Sequence, residues 1–250
     1  MLSSTLKQFG TMGFLCALTY FASAGEQVAF QSNFSENQTL KGWHDIWDQR
    51  GRKPVRAEYY QVVTENGETY FRTNKTKQGR WLSWGIWHRL GSSGIPVDDH
   101  IQEIRIEAVL RKKAELINYT VGIGITSNQW CDQGRTFIQG KQDSGIEIIG
   151  NENPKHQKIN KISSKIEGFM TTLTAPREPF NFMLKTGEWQ TWKLIYDHEK
   201  KEVKFYRSPE ETKPFLIQRD VNLKGIILQS VWISGGTAEF KSVKVTVKTK

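Results

Sequence analysis

Two glutamates and an arginine at period-two spacing open the chemical reading of this chain. Glu103-x-Arg105-x-Glu107 alternates with Ile104, Ile106 and Ala108, so a strand that buries the apolar residues projects all three charges from one face. Adjacent charges would then lie about 7 Å apart and the two glutamates ~13 Å apart. Acid/base cleavage of a glycosidic bond by two carboxyl groups needs them roughly 5 to 9.5 Å apart, so the stripe alone is a poor pair. Glu147, between Ile146 and Ile148, could supply the partner, since a neighbouring strand lies roughly 4.8 Å away and the next near 10 Å. Glu147, Glu103 and Glu107 are therefore the candidate acid and base groups, with Arg105 to place a substrate. The plainer alternative is a solvated, salt-bridged strand face and an ordinary outward Glu147.

Aromatic residues supply the second candidate surface. From Trp81 to Leu90, Leu82, Trp84, Ile86 and Leu90 fall on one face, and Trp81, Trp87 and Arg89 on the other. Flat indoles stack on the apolar faces of pyranose rings, so Trp81, Trp87 and Arg89 read as a sugar-binding patch. With the faces reversed, Trp81 or Trp87 would plug the core instead. Trp130, beside Asp132 and Arg135, is a further stacking candidate on a loop. The five histidines show no metal-ligand spacing, so a zinc site is not expected. His44, near Asp45 and Asp48, is a lesser acid/base candidate, and His88 alternates with core residues.

These residues must be held by strands. Asn66-Gly67 between two alternating runs predicts a hairpin, because both residues tolerate positive φ. Ile101 to Leu110, Val121 to Ile125 and Ile146 to Ile148 alternate. So do Trp192 to Tyr196, Val203 to Tyr206 and Glu239 to Val245. Residues 150 to 186 carry little strand pattern before Phe180 and read as a long loop, punctuated by Lys155, Lys158, Lys161 and Lys165. The fold class expected is all-β, a two-sheet antiparallel β-sandwich of jelly-roll type.

The N-terminus reads as a signal peptide over 1–24. It has Lys7, a short apolar stretch from Thr11 to Phe21, and Ala22-Ser23-Ala24 as cleavage site. The expectation is a secreted protein with one domain over 25–250, no membrane span and a monomeric state. Removing the signal leaves Cys131 as the single cysteine, which excludes an internal disulfide. The formal net charge of +9 suits an anionic surface or polysaccharide, while no nucleic-acid-binding signature accompanies it.

Leu40-Lys41-Gly42-Trp43, Ser144-Gly145-Ile146-Glu147-Ile148, Gly187-Glu188-Trp189-Gln190, Gly225-Ile226-Ile227-Leu228-Gln229 and Glu239-Phe240-Lys241-Ser242-Val243 occur in that order. Together they resemble the concanavalin A-like lectin/glucanase superfamily, and most closely the 3-keto-disaccharide hydrolase domains. The chain departs from that domain family at Ile149, where a Gln is usual. The resemblance implies a carbohydrate partner, with Glu147 in the position of the family's Gly-x-Glu. It implies hydrolysis of glycosides or oligosaccharides in a groove on one sheet. Two other outcomes remain open: a non-catalytic carbohydrate-binding module, or a lyase on an anionic polysaccharide that uses the basic 155–165 segment as a clamp. None of these chemistries requires a cofactor, and sandwiches of this type can hold a structural calcium ion.

Overall fold

A computed structural model describes residues 25–34, 40–45, 55, 60–73, 85–112, 120–127, 144–151, 160–166, 169–174, 187–235 and 238–250. Among these residues there are strands and turns but no helix. The strands, numbered in chain order, are β1 (Gly25–Asn33), β2 (Trp43–Asp45), β3 (Tyr60–Glu65), β4 (Glu68–Thr73), β5 (Gly85–Arg89), β6 (Ile95–Pro96), β7 (Ile101–Lys112), β8 (Thr120–Thr126) and β9 (Gly145–Asn151). They continue with β10 (Asn160–Ile166), β11 (Phe169–Thr174), β12 (Gln190–Asp197), β13 (Glu202–Tyr206), β14 (Leu216–Gln218), β15 (Ile227–Leu228), β16 (Ser230–Gly235) and β17 (Ala238–Thr249).

An eight-stranded sheet runs β14-β13-β12-β7-β17-β4-β3, with β1 also paired to β17. A seven-stranded sheet runs β11-β10-β9-β8-β16-β5-β2, and β15 with β6 makes a small ribbon. All pairings are antiparallel, and the chain passes repeatedly between the two sheets, directly from β1 to β2, β2 to β3, β4 to β5, β7 to β8, β11 to β12 and β16 to β17. This is the expected all-β sandwich.

Period-two alternation is what divides the faces. Ile104, Ile106, Ala108 and Leu110 of β7 and Trp192, Leu194 and Tyr196 of β12 point inward, together with Val243, Val245 and Val247 of β17. They meet Ile146 and Ile148 of β9, Val121, Ile123 and Ile125 of β8, and Val231 and Ile233 of β16 in one apolar core. At one end, aromatic rings close the sandwich. Phe71 packs against Phe34 and Tyr60 with centroids 5.5 and 5.9 Å apart, and Phe34 lies 5.7 Å from Trp43.

The Asn66-Gly67 hairpin forms as the sequence indicates, with positive φ at both residues between β3 and β4. Residues 160–166 and 169–174 correct the reading of a long loop, because they pair as β10 and β11 at the edge of the seven-stranded sheet. Their alternation was hard to see because Ser163, Ser164, Thr171 and Thr172 fill strand positions with small polar residues. β16 is not among the alternating runs singled out from the sequence, although Val231 and Ile233 alternate with Ser230, Trp232 and Ser234.

Tyr196 ties the core to a connection. Its hydroxyl accepts a hydrogen bond from the Leu223 backbone N–H at 3.1 Å and sits 3.2 Å from His198 Nδ1. Tyr196→Phe leaves that buried N–H without its acceptor and is expected to cost about 1 to 3 kcal/mol in chemical denaturation.

Candidate functional site: the outer face of the seven-stranded sheet

Register across the seven-stranded sheet defines two sets of rows. Asp45, Ile86, Ile233, Ile123, Ile148 and Ile162 are successive partners at positions of inward parity. One residue along, His44, Trp87, Trp232, Gly124, Glu147 and Ser163 are successive partners on the outer face. The sequence therefore puts a carboxyl group, two indoles and an imidazole in one row, turned away from the core. From Glu147 on β9 to His44 on β2 is four strand spacings, about 19 Å, so these two are not an acid/base pair.

Two glycines set the shape of the row. A Cβ on Gly124 would lie 2.4 Å from Trp232 Nε1 and 2.9 Å from Glu147 Cβ, and one on Gly122 would lie 2.9 Å from Trp232 Cη2. The Trp232 indole therefore lies across both glycines of β8, a space that any side chain there would fill. Glycine at 122 and 124, which in sequence looks only like the blank half of an alternating strand, is what admits the ring beside Glu147.

This row is buried although it points outward. Trp87 is 0% exposed, Trp232 1% and Glu147 1%, and Thr126, Ser230 and Ser234 on the same face are also buried. The face assignment for Trp87 and Arg89 therefore stands, but Trp87 is not an exposed stacking surface. Its ring packs 4.7 Å from His44, and its Nε1 is buried without an acceptor among the described residues. Arg89, at the end of β5, is exposed. His88 takes the inward parity, with its ring 4.8 Å from Phe30 and 5.5 Å from Trp43. Burial pushes its imidazole below the ordinary value. Trp81 and Trp130 lie outside the described residues, as do Asp48 and Cys131.

Glu103, Arg105 and Glu107 lie on the other sheet. They face outward from β7, where their partners on β12 are Asp197, Ile195 and Lys193. The whole core separates them from Glu147, and two packed sheets are themselves about 10 Å apart. The structure thus does not bring Glu103 or Glu107 to Glu147, and Arg105 and Trp87 do not share a groove. The reason is that Glu147 and the β7 stripe are outward on different sheets, a distinction that alternation alone does not make. Arg105 instead binds Glu103, with Nη2 2.6 Å from Oε1, and lies 3.8 Å from Glu26.

A denser charged cluster, absent from the sequence reading, also occupies the outer face of the eight-stranded sheet. Glu239 of β17 is 1% exposed and accepts hydrogen bonds from Arg72 Nε at 2.6 Å and Arg111 Nε at 2.7 Å. Arg72 also donates to Glu65 and to the Tyr70 hydroxyl, and Tyr70 donates to Glu65. Arg111 lies over the Trp189 ring at 4.2 Å, while Trp189 Nε1 donates to Glu68 at 2.9 Å. The signal that could have found the cluster is register: Arg72 and Arg111 are the two cross-strand partners of Glu239.

Titration marks these networks. Burial first, then the bond to Glu65, raises the Tyr70 phenol, and burial also raises Tyr196. Phenols raised in the folded state hold their contribution to stability below the unfolded value near pH 10 and lose it as pH rises through the folded value. Asp197 is depressed: burial opposes ionisation, but the Lys200 N–H and the charges of Lys204 and Lys200 outweigh it. Its contribution is present above the unfolded value and disappears as pH falls through the folded one. Stability is expected to fall at both ends of the pH range, and phenol absorbance should titrate later in the folded protein than in urea. Coincident titration in both states would contradict this.

Among the described residues no three His, Cys, Asp or Glu side chains converge as a cation site, so they offer no calcium cage. Nor is any described helix long and apolar enough to cross a membrane.

Neither known protein families nor curated sequences gave a match. Solved structures do. The CBM2 module of the evolved Dit of Lactobacillus casei BL23 phage J-1 aligns at TM-score 0.56 and 9% identity, over 91% of this chain and 98% of that one. The κ-carrageenase of Pseudoalteromonas carrageenovora aligns at 0.53 and 10%, over 92% and 98%. The catalytic domain of an endo-1,3-β-glucanase (laminarinase) from Thermotoga petrophila aligns at 0.53 and 11%, over 90% and 99%. Identities this low speak to architecture alone. The chain has the jelly-roll sandwich fold of the concanavalin A-like lectins and glucanases.

Proposed function

We propose that the chain is a secreted carbohydrate-binding protein whose saccharide site is the outer face of the seven-stranded sheet, with Glu147 as its polar anchor. The observation that carries this reading is the placement of Glu147. It is buried on the side away from the core, in a row with Trp232 and Trp87, over a floor of Gly122 and Gly124. Core packing does not require a carboxyl group on that side of the sheet. Several proteins of this fold are named for carbohydrate: a carrageenase, a laminarinase, a binding module. That likeness supports the reading at the level of architecture.

Hydrolysis is the second reading, favoured by Gly145-Ile146-Glu147 and by the removal of Glu147 from water, which suits a general acid. Binding is placed first because the described positions of that face carry no second carboxyl group to complete a pair. The test is a panel of oligo- and polysaccharides, keto-sugar glycosides included, scored for binding and for released product. Binding without product supports a recognition protein. Product that vanishes in Glu147→Gln, with binding kept, would replace this reading by a hydrolase. No binding and no product would refute both.

Because the row is buried, a saccharide reaches Glu147 only after a conformational step. Association is expected to be slower than the usual range of about 10⁵ to 10⁷ M⁻¹ s⁻¹, measured by stopped-flow tryptophan fluorescence. Rates inside that range would show that the saccharide contacts an already open surface elsewhere.

A further inference from the structure

Trp87 carries a polar group for which the fold has no use. Its ring lies on the outer face of β5, fully buried, between His44 of β2 and Trp232 of β16. Its neighbours along the strand on that face are Gly85, which has no side chain, and Arg89, which is exposed. Diagonally across on β16 stand Ser230 and Ser234. The His44 ring packs 4.7 Å away, yet the indole Nε1–H has no acceptor among the described residues. An indole nitrogen can only donate, and a buried donor without an acceptor is destabilising. Trp87 is not part of the apolar core cluster, and a phenylalanine would place an aromatic ring here without the unmet donor.

We infer that the Trp87 Nε1–H is a ligand-binding donor, which gives its hydrogen bond to a hydroxyl or ring oxygen of the saccharide. The inference rests on the proposed carbohydrate site and adds to it a point of attachment separate from Glu147. From Trp87 on β5 to Glu147 on β9 is three strand spacings, about 14 Å. One sugar ring cannot bridge that distance, so a ligand that meets both groups is a chain of linked sugars lying across the strands. Of the described side chains in the row, only His44 is partly open to solvent, and β2 is the edge strand of this sheet. The saccharide therefore approaches from the β2 side and reaches Trp87 before Glu147. The contact is a directional bond to an oxygen and does not need an exposed indole face.

The experiment follows the indole N–H resonances of the full, isotope-labelled chain, alone and with laminarin, galactan and κ-carrageenan oligosaccharides. The Trp87 peak is the one missing from Trp87→Phe; should that variant not fold, proximity to the His44 ring identifies it. At least one oligosaccharide is expected to move this peak downfield, the mark of a newly formed hydrogen bond. Trp87→Phe is expected to weaken binding of the same oligosaccharide about three- to tenfold. A bound oligosaccharide that leaves the peak in place, or that binds Trp87→Phe with full affinity, overturns this inference and leaves the carbohydrate site standing. A peak already downfield in the free protein and unmoved by ligand overturns it too, by showing that a buried water takes the bond. Failure of every oligosaccharide to bind overturns the carbohydrate site itself.

Discussion

Glu239→Ala is expected to destabilise the fold by about 3 to 5 kcal/mol, seen as a lower urea midpoint with an unchanged slope. The carboxylate is nearly out of water and holds the Nε groups of Arg72 and Arg111 at 2.6 and 2.7 Å. Alanine would leave two half-desolvated guanidinium groups facing one another across β17, which is worse than losing one hydrogen bond. The site also joins three strands, since Arg72 sits on β4, Glu239 on β17 and Arg111 on β7. Glu103→Ala is the comparison. Its Arg105 partner is a quarter exposed and borders Glu26 as well, so the expected loss is within about 1 kcal/mol. Equal effects from the two substitutions would show that the Glu239 cluster is ordinary surface charge.

The second large effect is expected at Gly124. Valine is a better strand former than glycine, so propensity alone would make Gly124→Val stabilising. Its Cβ, however, would fall 2.4 Å from Trp232 Nε1 and 2.9 Å from Glu147 Cβ. The indole must then leave its place across β8, at an expected cost of about 1 to 3 kcal/mol, and Glu147 must shift with it. Saccharide binding should weaken in the same variant. A smaller ring position relieves the clash, so Gly124→Ala combined with Trp232→Leu should lose less stability than the sum of the two single changes. Additive losses would mean that Trp232 does not lie over Gly124.

Much of the architecture is legible in the residues, and the limits of that legibility have physical causes. Ile104, Ile106, Ala108 and Leu110 alternate with charges, and β7 forms with that face inward, as do β8, β9, β12, β13 and β17. Asn66-Gly67 specifies its turn because both residues adopt positive φ there. β10 and β11 were missed because an edge hairpin built from serine, threonine and lysine has little apolar contrast for alternation to reveal. The candidate site was half legible. Outward parity at Glu147 and Trp87 followed from their inward neighbours, but parity says nothing about which sheet a strand joins. Glu103, Arg105 and Glu107 were therefore grouped with residues that lie across the core. Trp232 was missed because its importance comes from Gly122 and Gly124 on the adjacent strand, a contact between positions more than a hundred residues apart. The Glu239 cluster was missed for the same reason, its partners being 167 and 128 residues away.

The account turns on which outer face meets the saccharide. The most direct measurement compares the affinity of Glu147→Gln with that of the double variant Glu103→Gln, Glu107→Gln, for whichever polysaccharide the wild-type chain binds, after circular dichroism shows both folded. Loss of about tenfold or more in Glu147→Gln, with the double variant unchanged, is the predicted result. Full affinity in Glu147→Gln and loss in the double variant would contradict it, and would move the site to the eight-stranded sheet.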